Sequence, residues 1–316
     1  MKGELVAAID VLPQLAGDVF LTDGGCETDF IFHHDIDLPL NASFVLHDDI
    51  EREAMVGDYF REYLHIASEA RRGLVLETLT WRASHDWGEL LGYDDAGLAR
   101  VNRRAVTFLR ELVAQEADVP IVLSGLVGPR GDAYSDLGSM TPEEAKLYHC
   151  RQIAVLANSG VDVVSALTIT NVAEAIGIVQ AAKACDMPVV ISFTVETNGA
   201  LPTGMSLADA IRSVDAATDE GPAYYMINCS HPDHFSEVLM SGDPVLNRIR
   251  GLRANASRLS HTELDEREEL DDGDPDELGA QLAALHTRLP HITVLGGCCG
   301  TDARHIAAIA RACAAS

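Results

Sequence analysis

Cys229 and the adjacent pair Cys298 and Cys299 are the residues of this chain whose type and setting best suit chemistry. Three thiolates brought to one point suit zinc, which binds sulfur at about 2.3 Å in a tetrahedron. Three protein ligands leave the fourth position for water or substrate, the pattern of a catalytic site. Gly296, Gly297 and Gly300 flank the pair, and glycine lets a backbone fold tightly enough for two consecutive side chains to face one ion. Taken singly, a buried cysteine is more often a small hydrophobic residue than a ligand, so the reading depends on all three meeting. His231 and His234 follow Cys229 as C-x-H-x-x-H and offer competing imidazoles. Pro232 between them marks a helix start, which places both histidines at the rim rather than on the metal. Cys26, beside Asp23, is a better rival. Cys150, Cys185 and Cys313 fall on helical stretches, and His33 and His34 in an exposed loop.

The elements that must position these residues alternate. Short apolar runs rich in Val, Ile and Leu occupy 18–24, 73–78, 119–125, 161–167, 187–193, 223–229, 248–257 and 291–298. Helix-period segments separate them at 51–71, 95–116, 141–158, 172–185, 206–218 and 277–288, with a last one at 302–314. Thr141-Pro142-Glu143-Glu144 carries a full helix-start signal: a capping Thr, Pro in the first turn and Glu three residues on. Eight strands alternating with helices predict an α/β fold, a (β/α)8 TIM barrel, as a single domain over 1–316. An open doubly wound sheet would show G-x-G-x-x-G after its first strand, and the sequence has none. In this barrel the active site gathers at the carboxyl ends of the strands. Those ends read Asp23-Gly24-Gly25-Cys26-Glu27-Thr28, Glu77-Thr78-Leu79-Thr80-Trp81, Ser124-Gly125, Asn228-Cys229, Asn255 and Gly296 to Gly300. Cys229 then ends the sixth strand and Cys298 and Cys299 the eighth, two positions apart around the rim.

The 316 residues carry 23 Lys plus Arg against 49 Asp plus Glu, a formal charge of −26. That field repels nucleic acid phosphates and anionic lipid heads, so neither nucleic acid nor membrane is an expected partner. It fits a soluble surface or a saline cytoplasm, and the acidic run at 261–279 is a solvated loop and helix start. Seven cysteines, an odd number with two adjacent, fit a reducing compartment better than a disulfide framework. With no apolar run of about 18 residues and acids where a leader would be basic, the expected location is the cytoplasm. A homo-oligomer is compatible with all this, and nothing in the sequence fixes one.

The stretches DGGCETDF, ETLTWRAS, SGLVGPRGDAY, SFTVETNGALPTGMSL, INC and GGCCGTDARHI carry a resemblance. Over nearly its whole length the chain resembles the homocysteine S-methyltransferase family, with its betaine-, S-methylmethionine- and folate-dependent members. The resemblance implies a (β/α)8 barrel in which Cys229, Cys298 and Cys299 hold Zn2+, zinc binds the thiol of homocysteine, and Asp23 and Gly24 help hold its amino-acid part. The partners implied are a small-molecule thiol acceptor and a methyl donor of unspecified kind. Glu27, Glu77, Trp81 and Asn255 complete the candidate substrate contacts, Trp81 and Tyr134 as aromatic faces for an onium donor. Two segments depart from the family. Its Phe-Glu-Thr at the end of strand four is Ala166-Leu167-Thr168 here, and its Tyr-Pro-Asn-Ser-Gly after strand seven is Arg253-Ala254-Asn255-Ala256-Ser257. The first removes a carboxylate that contacts the acceptor, which Glu77 or Glu196 would have to replace. Two other readings stay open: a zinc hydrolase or lyase using metal-bound water, with Glu27, Glu77 or His231 as base, and a non-catalytic metal-binding barrel.

Overall fold

A computed structural model describes residues 12–132, 140–265, 267 and 269–314. Its eight parallel strands close in chain order: β1 (Phe20–Leu21), β2 (Gly73–Glu77), β3 (Ile121–Val127), β4 (Val163–Ile169), β5 (Val189–Phe193), β6 (Tyr224–Ser230), β7 (Ile249–Ala254) and β8 (Val294–Gly297). Closure is made by Phe20 opposite Val294 and Leu21 opposite Leu295. The helices are α1 (Cys26–Phe32), α2 (Ile50–Ala70), α3 (His85–Leu90), α4 (Asp95–Glu116), α5 (Pro142–Ser159), α6 (Val172–Ala184), α7 (Leu207–Thr218), α8 (Pro232–Leu239), α9 (His261–Asp265), α10 (Pro275–Arg288) and α11 (Ala303–Ala314). The expected single-domain α/β barrel is therefore what the chain forms. No described helix is long and apolar enough to cross a membrane.

Alternation along the strands sorts side chains into two layers, because successive residues of a strand face opposite sides. Val164, Ala166, Val189, Ile191, Phe193, Tyr225 and Ile227 join the large cluster shared with the helices. Val163, Val190, Tyr224 and Met226 point inward, where with Phe20, Val75, Val122 and Val294 they fill the amino end of the barrel. A 3-10 turn, Pro13–Leu15, plugs that end with Leu12 and Leu15. Thr293 Oγ1 donates to the Gln14 carbonyl at 2.6 Å, which fastens the plug.

The helix start at Thr141 is as expected: Thr141 and Glu144 form a reciprocal capping box with Pro142 in the first turn. Pro232 also begins a helix, α8, whose end His231 caps by accepting from the Asp233 amide at 3.2 Å. The differences from the sequence reading at β1, β7 and α1 are local. β1 contributes only two residues to the ladder and β7 stops at Ala254, although single backbone bonds, Thr22 amide to Leu295 carbonyl and Asn255 amide to Ser230 carbonyl, carry the pairing a step further. Helix α1 was not expected; Gly25 precedes it with no side-chain cap, so it carries no start signal.

Candidate active site

The three cysteines meet. Cys229 Sγ lies 2.8 Å from Cys298 Sγ and 3.8 Å from Cys299 Sγ, and all three sulfurs fall within 4.8 Å of one another. They are the only group of His, Cys, Asp or Glu side chains so placed among the described residues. A break in regular geometry brings Cys229 there. In an unbroken strand it would point outward, two residues after Ile227. Instead the β6–β7 register slips between Asn228 and Ser230, and Cys229 takes the left-handed φ of 52°. Such a bulge re-aims a side chain, and a left-handed non-glycine residue costs roughly 1–2 kcal/mol.

Asn228 holds the bulge. Its Oδ1 accepts from Ser192 Oγ at 2.7 Å and from the Thr168 amide at 2.9 Å, while its Nδ2 donates to Thr168 Oγ1 at 2.8 Å. Thr168 is itself left-handed, φ 63°, so two strand ends are locked to each other through one buried amide. On the opposite side the turn carrying Cys298 and Cys299 ends on Gly300 at φ 78°. It packs on the Asp23 loop: the Gly297 amide donates to the Asp23 carbonyl at 3.1 Å, and the Gly25 amide to the Thr301 carbonyl at 2.9 Å. A Cβ at Gly25 would stand 2.5 Å from the Cys298 carbonyl oxygen, so the Asp-Gly-Gly sequence is needed for close approach.

Hydrogen bonds from Cys229 and Cys299 hold the Cys298 thiol well below the usual range, against burial, and the Arg253 charge helps. Cys229 is pushed up by the same contacts and by burial.

Arg253 enters the sequence reading only as part of a segment that departs from the family, and no site role was expected of it. Only 5% exposed, it donates through Nε to the Gly297 carbonyl at 2.9 Å, and through Nη2 to Asp23 Oδ1 at 2.6 Å and to the Gly24 carbonyl at 3.0 Å. Its Nη1 donates to Glu77 Oε2. Tyr59 OH donates to the other Asp23 oxygen at 3.0 Å. Burial still pushes the Asp23 carboxyl up, more than Arg253 and Tyr59 pull it down. Asp23, Gly24 and Glu77 are thus brought together, as a floor joined by a guanidinium. The signal in the sequence was a charge at an inward strand position, visible only once the register is known.

At the rim, Glu27 Oε1 accepts from Ser43 Oγ at 2.8 Å. Trp81 Nε1 donates to the Leu167 carbonyl at 3.3 Å. The Arg82 guanidinium stands 4.8 Å from the Trp81 ring centroid and 3.9 Å from that of Trp87, so the chain supplies a cation of its own to this aromatic pair. Asn255, 6% exposed, has an Oδ1 with no hydrogen-bond partner. Of the rival ligands, His231 is occupied in capping α8, His234 Nε2 meets the Arg258 carbonyl at 3.0 Å, and Cys26 is a buried α1 residue whose thiol burial pushes up. None joins the sulfur group. Tyr134 lies outside the described residues.

Comparison with known proteins places the chain in a family and finds its fold in solved structures. The sequence profile of a family described as homocysteine S-methyltransferase matches residues 20–313. Homocysteine S-methyltransferase 3 of Arabidopsis thaliana is 25% identical over 202 residues, a stretch that spans 61% of this chain and 57% of that protein. The fold is similar to that of the homocysteine methyltransferase MmuM from Escherichia coli. The metallated form gives a TM-score of 0.73 at 19% identity over 99% of both chains. The oxidized form gives 0.72 at 20% identity over 96% of this chain and 98% of that one.

Proposed function

Because the chain belongs to the homocysteine S-methyltransferase family, we propose that it is an S-methyltransferase that moves a methyl group from a small donor to the thiol of homocysteine or a similar small thiol. Cys229, Cys298 and Cys299 would hold zinc. The observation that carries this reading is the convergence of those three sulfurs within 4.8 Å at the carboxyl end of the barrel. Tetrahedral bonds of 2.3 Å place ligand sulfurs ~3.8 Å apart. Cys229 and Cys299 already stand at that distance, and only Cys298 has to turn away. Bound there, zinc would convert an incoming thiol, whose free form is only a few per cent ionised at pH 7, into the nucleophilic thiolate.

The chain's own residues do the rest by position. Asn228 fixes the bulge that aims Cys229, and Arg253 fixes the Gly297 carbonyl beside Cys298. The Asp23, Gly24 and Glu77 floor is buried, so it orients the acceptor from below and keeps water from the thiol. Glu27, Trp81 and Asn255 border the mouth and are assigned to substrate contacts. Holding thiol and donor in line is worth several kcal/mol of barrier, and nothing further need be done to the methyl group.

The test is zinc content and methyl transfer measured together. Wild-type protein should carry one zinc per chain and methylate a thiol from at least one of a panel of methyl donors, read by mass spectrometry. Full zinc and full activity in any one of the three Cys→Ser variants would remove that cysteine from the site.

A further inference from the structure

Both oxygens of the buried Asp23 carboxylate are already engaged within the chain, and Glu77 is tied to the same arginine. Asp23 Oδ1 accepts from Arg253 and Oδ2 from Tyr59, Glu77 Oε2 accepts from Arg253, and the two acids are 2% and 3% exposed. The end of β4 offers no replacement: Leu167 is buried and its carbonyl is taken by Trp81. Open space beside the sulfurs lies on the other side of the mouth. A small cavity of about 10 Å3 touches Cys229 and is lined by Glu196, Thr197, His234 and Asn255. That volume holds one water-sized group, which is the size of a primary ammonium.

Ser260 and His261 complete its polar lining, and two of the lining groups are acceptors with no donor from the chain. Glu196 makes no side-chain hydrogen bond or ion pair with any described residue, although its backbone is fixed in a turn by the Glu196 amide to the Ala200 carbonyl and the Gly199 amide to the Glu196 carbonyl, both 2.8 Å. The buried Asn255 Oδ1 is likewise without a donor. A buried carbonyl left unpaired is unfavourable and calls for a partner that the chain itself does not supply. A carboxylate and an orphaned amide oxygen around a water-sized space suit a group with several N–H donors and a positive charge.

We propose that the cavity between Glu196 and Asn255 is the ammonium subsite of the acceptor, and that the acceptor is an α-amino thiol whose sulfur lies at Cys229, Cys298 and Cys299 while its amino group enters this cavity. This rests on the thiol-methyltransferase reading. It places the acceptor's charge recognition on the β5–β7 side, where Glu196 does the work that Arg253 prevents Asp23 and Glu77 from doing.

Two acceptors that differ only in the amino group separate the outcomes: homocysteine and 4-mercaptobutanoate, each titrated by calorimetry into zinc-loaded protein with no methyl donor present. Wild type should bind homocysteine the more tightly. Glu196→Gln should weaken homocysteine by about tenfold or more, the range of a charge-assisted contact, and leave 4-mercaptobutanoate within about twofold, with zinc content unchanged. If Glu196→Gln weakens both thiols equally or neither, the subsite is overturned while the thiol reading stands. If neither thiol binds wild type, the thiol reading itself fails and the subsite falls with it.

Discussion

The two ends of the barrel interior are built from opposite materials. At the amino end Phe20, Val75, Val122, Val163, Val190, Tyr224, Met226 and Val294 pack under a plug of Leu12 and Leu15. At the carboxyl end the inward positions of the same strands carry Ser124 and Ser165, hydrogen-bonded at 2.7 Å, then Ser192, Asn228, Glu77 and Arg253. One end is held by apolar burial, which tolerates rearrangement of individual contacts. The other is a connected polar network in which each buried group depends on a named partner. The difference shows where the fold keeps its stability and where it keeps its chemistry.

Breaking the carboxyl end at the sulfurs should have the largest functional effect and the least structural one. Cys298→Ser should lose zinc and detectable methyl transfer while its circular dichroism and cooperative unfolding stay those of wild type, since the apolar end does not depend on the metal. A variant, or chelator-treated protein, that unfolds would show the metal to be structural.

Arg253→Met and Phe20→Ala sharpen the contrast as a pair. Each should cost about 3–5 kcal/mol of stability, the first because Asp23 and Glu77 are left buried without their counter-charge and the second through a cavity in the core. Denaturant titration reads both. Only Arg253→Met should also lower zinc affinity, because it releases the Gly297 carbonyl next to Cys298. Equal zinc affinity in the two variants would break the distinction between the ends.

Much of this was legible in sequence. Short continuous apolar runs separated by helical segments give the barrel, since both faces of a parallel strand are covered. GGCCG at the end of the eighth run and N-C at the end of the sixth give the sulfurs. What was not legible depends on contacts far apart in the chain. Arg253 meets Glu77 across 176 residues and Asp23 across 230, and no local pattern encodes such a pairing. The bulge at Cys229 was equally hidden, because the register slip that re-aims the side chain is set by Asn228 and its neighbours on β4 and β5. The engagement of Glu77 by that same arginine was hidden for the same reason.

A smaller effect is expected at the outer edge of the carboxyl end. Burial pushes the Asp302 carboxyl up, but hydrogen bonds from His305 and Arg304 more than offset it and hold the group well below the usual range. A folded-state value below the unfolded one means that its contribution is present above about pH 4 and is lost as pH falls through the folded value. Asp302→Asn should therefore lower stability by about 1–2 kcal/mol at pH 7. Thermal melts should show the gap from wild type closing as pH drops below about 4. A gap that persists in acid would mean that Asp302 acts by packing.

The central claim is that a substrate thiol completes the site made by Cys229, Cys298 and Cys299. X-ray absorption at the zinc edge measures it directly, on the zinc-loaded protein with and without homocysteine. The account predicts three sulfurs and one lighter ligand without the thiol, and four sulfurs at about 2.3 Å with it. Four sulfurs in both samples, or three in both, would contradict it.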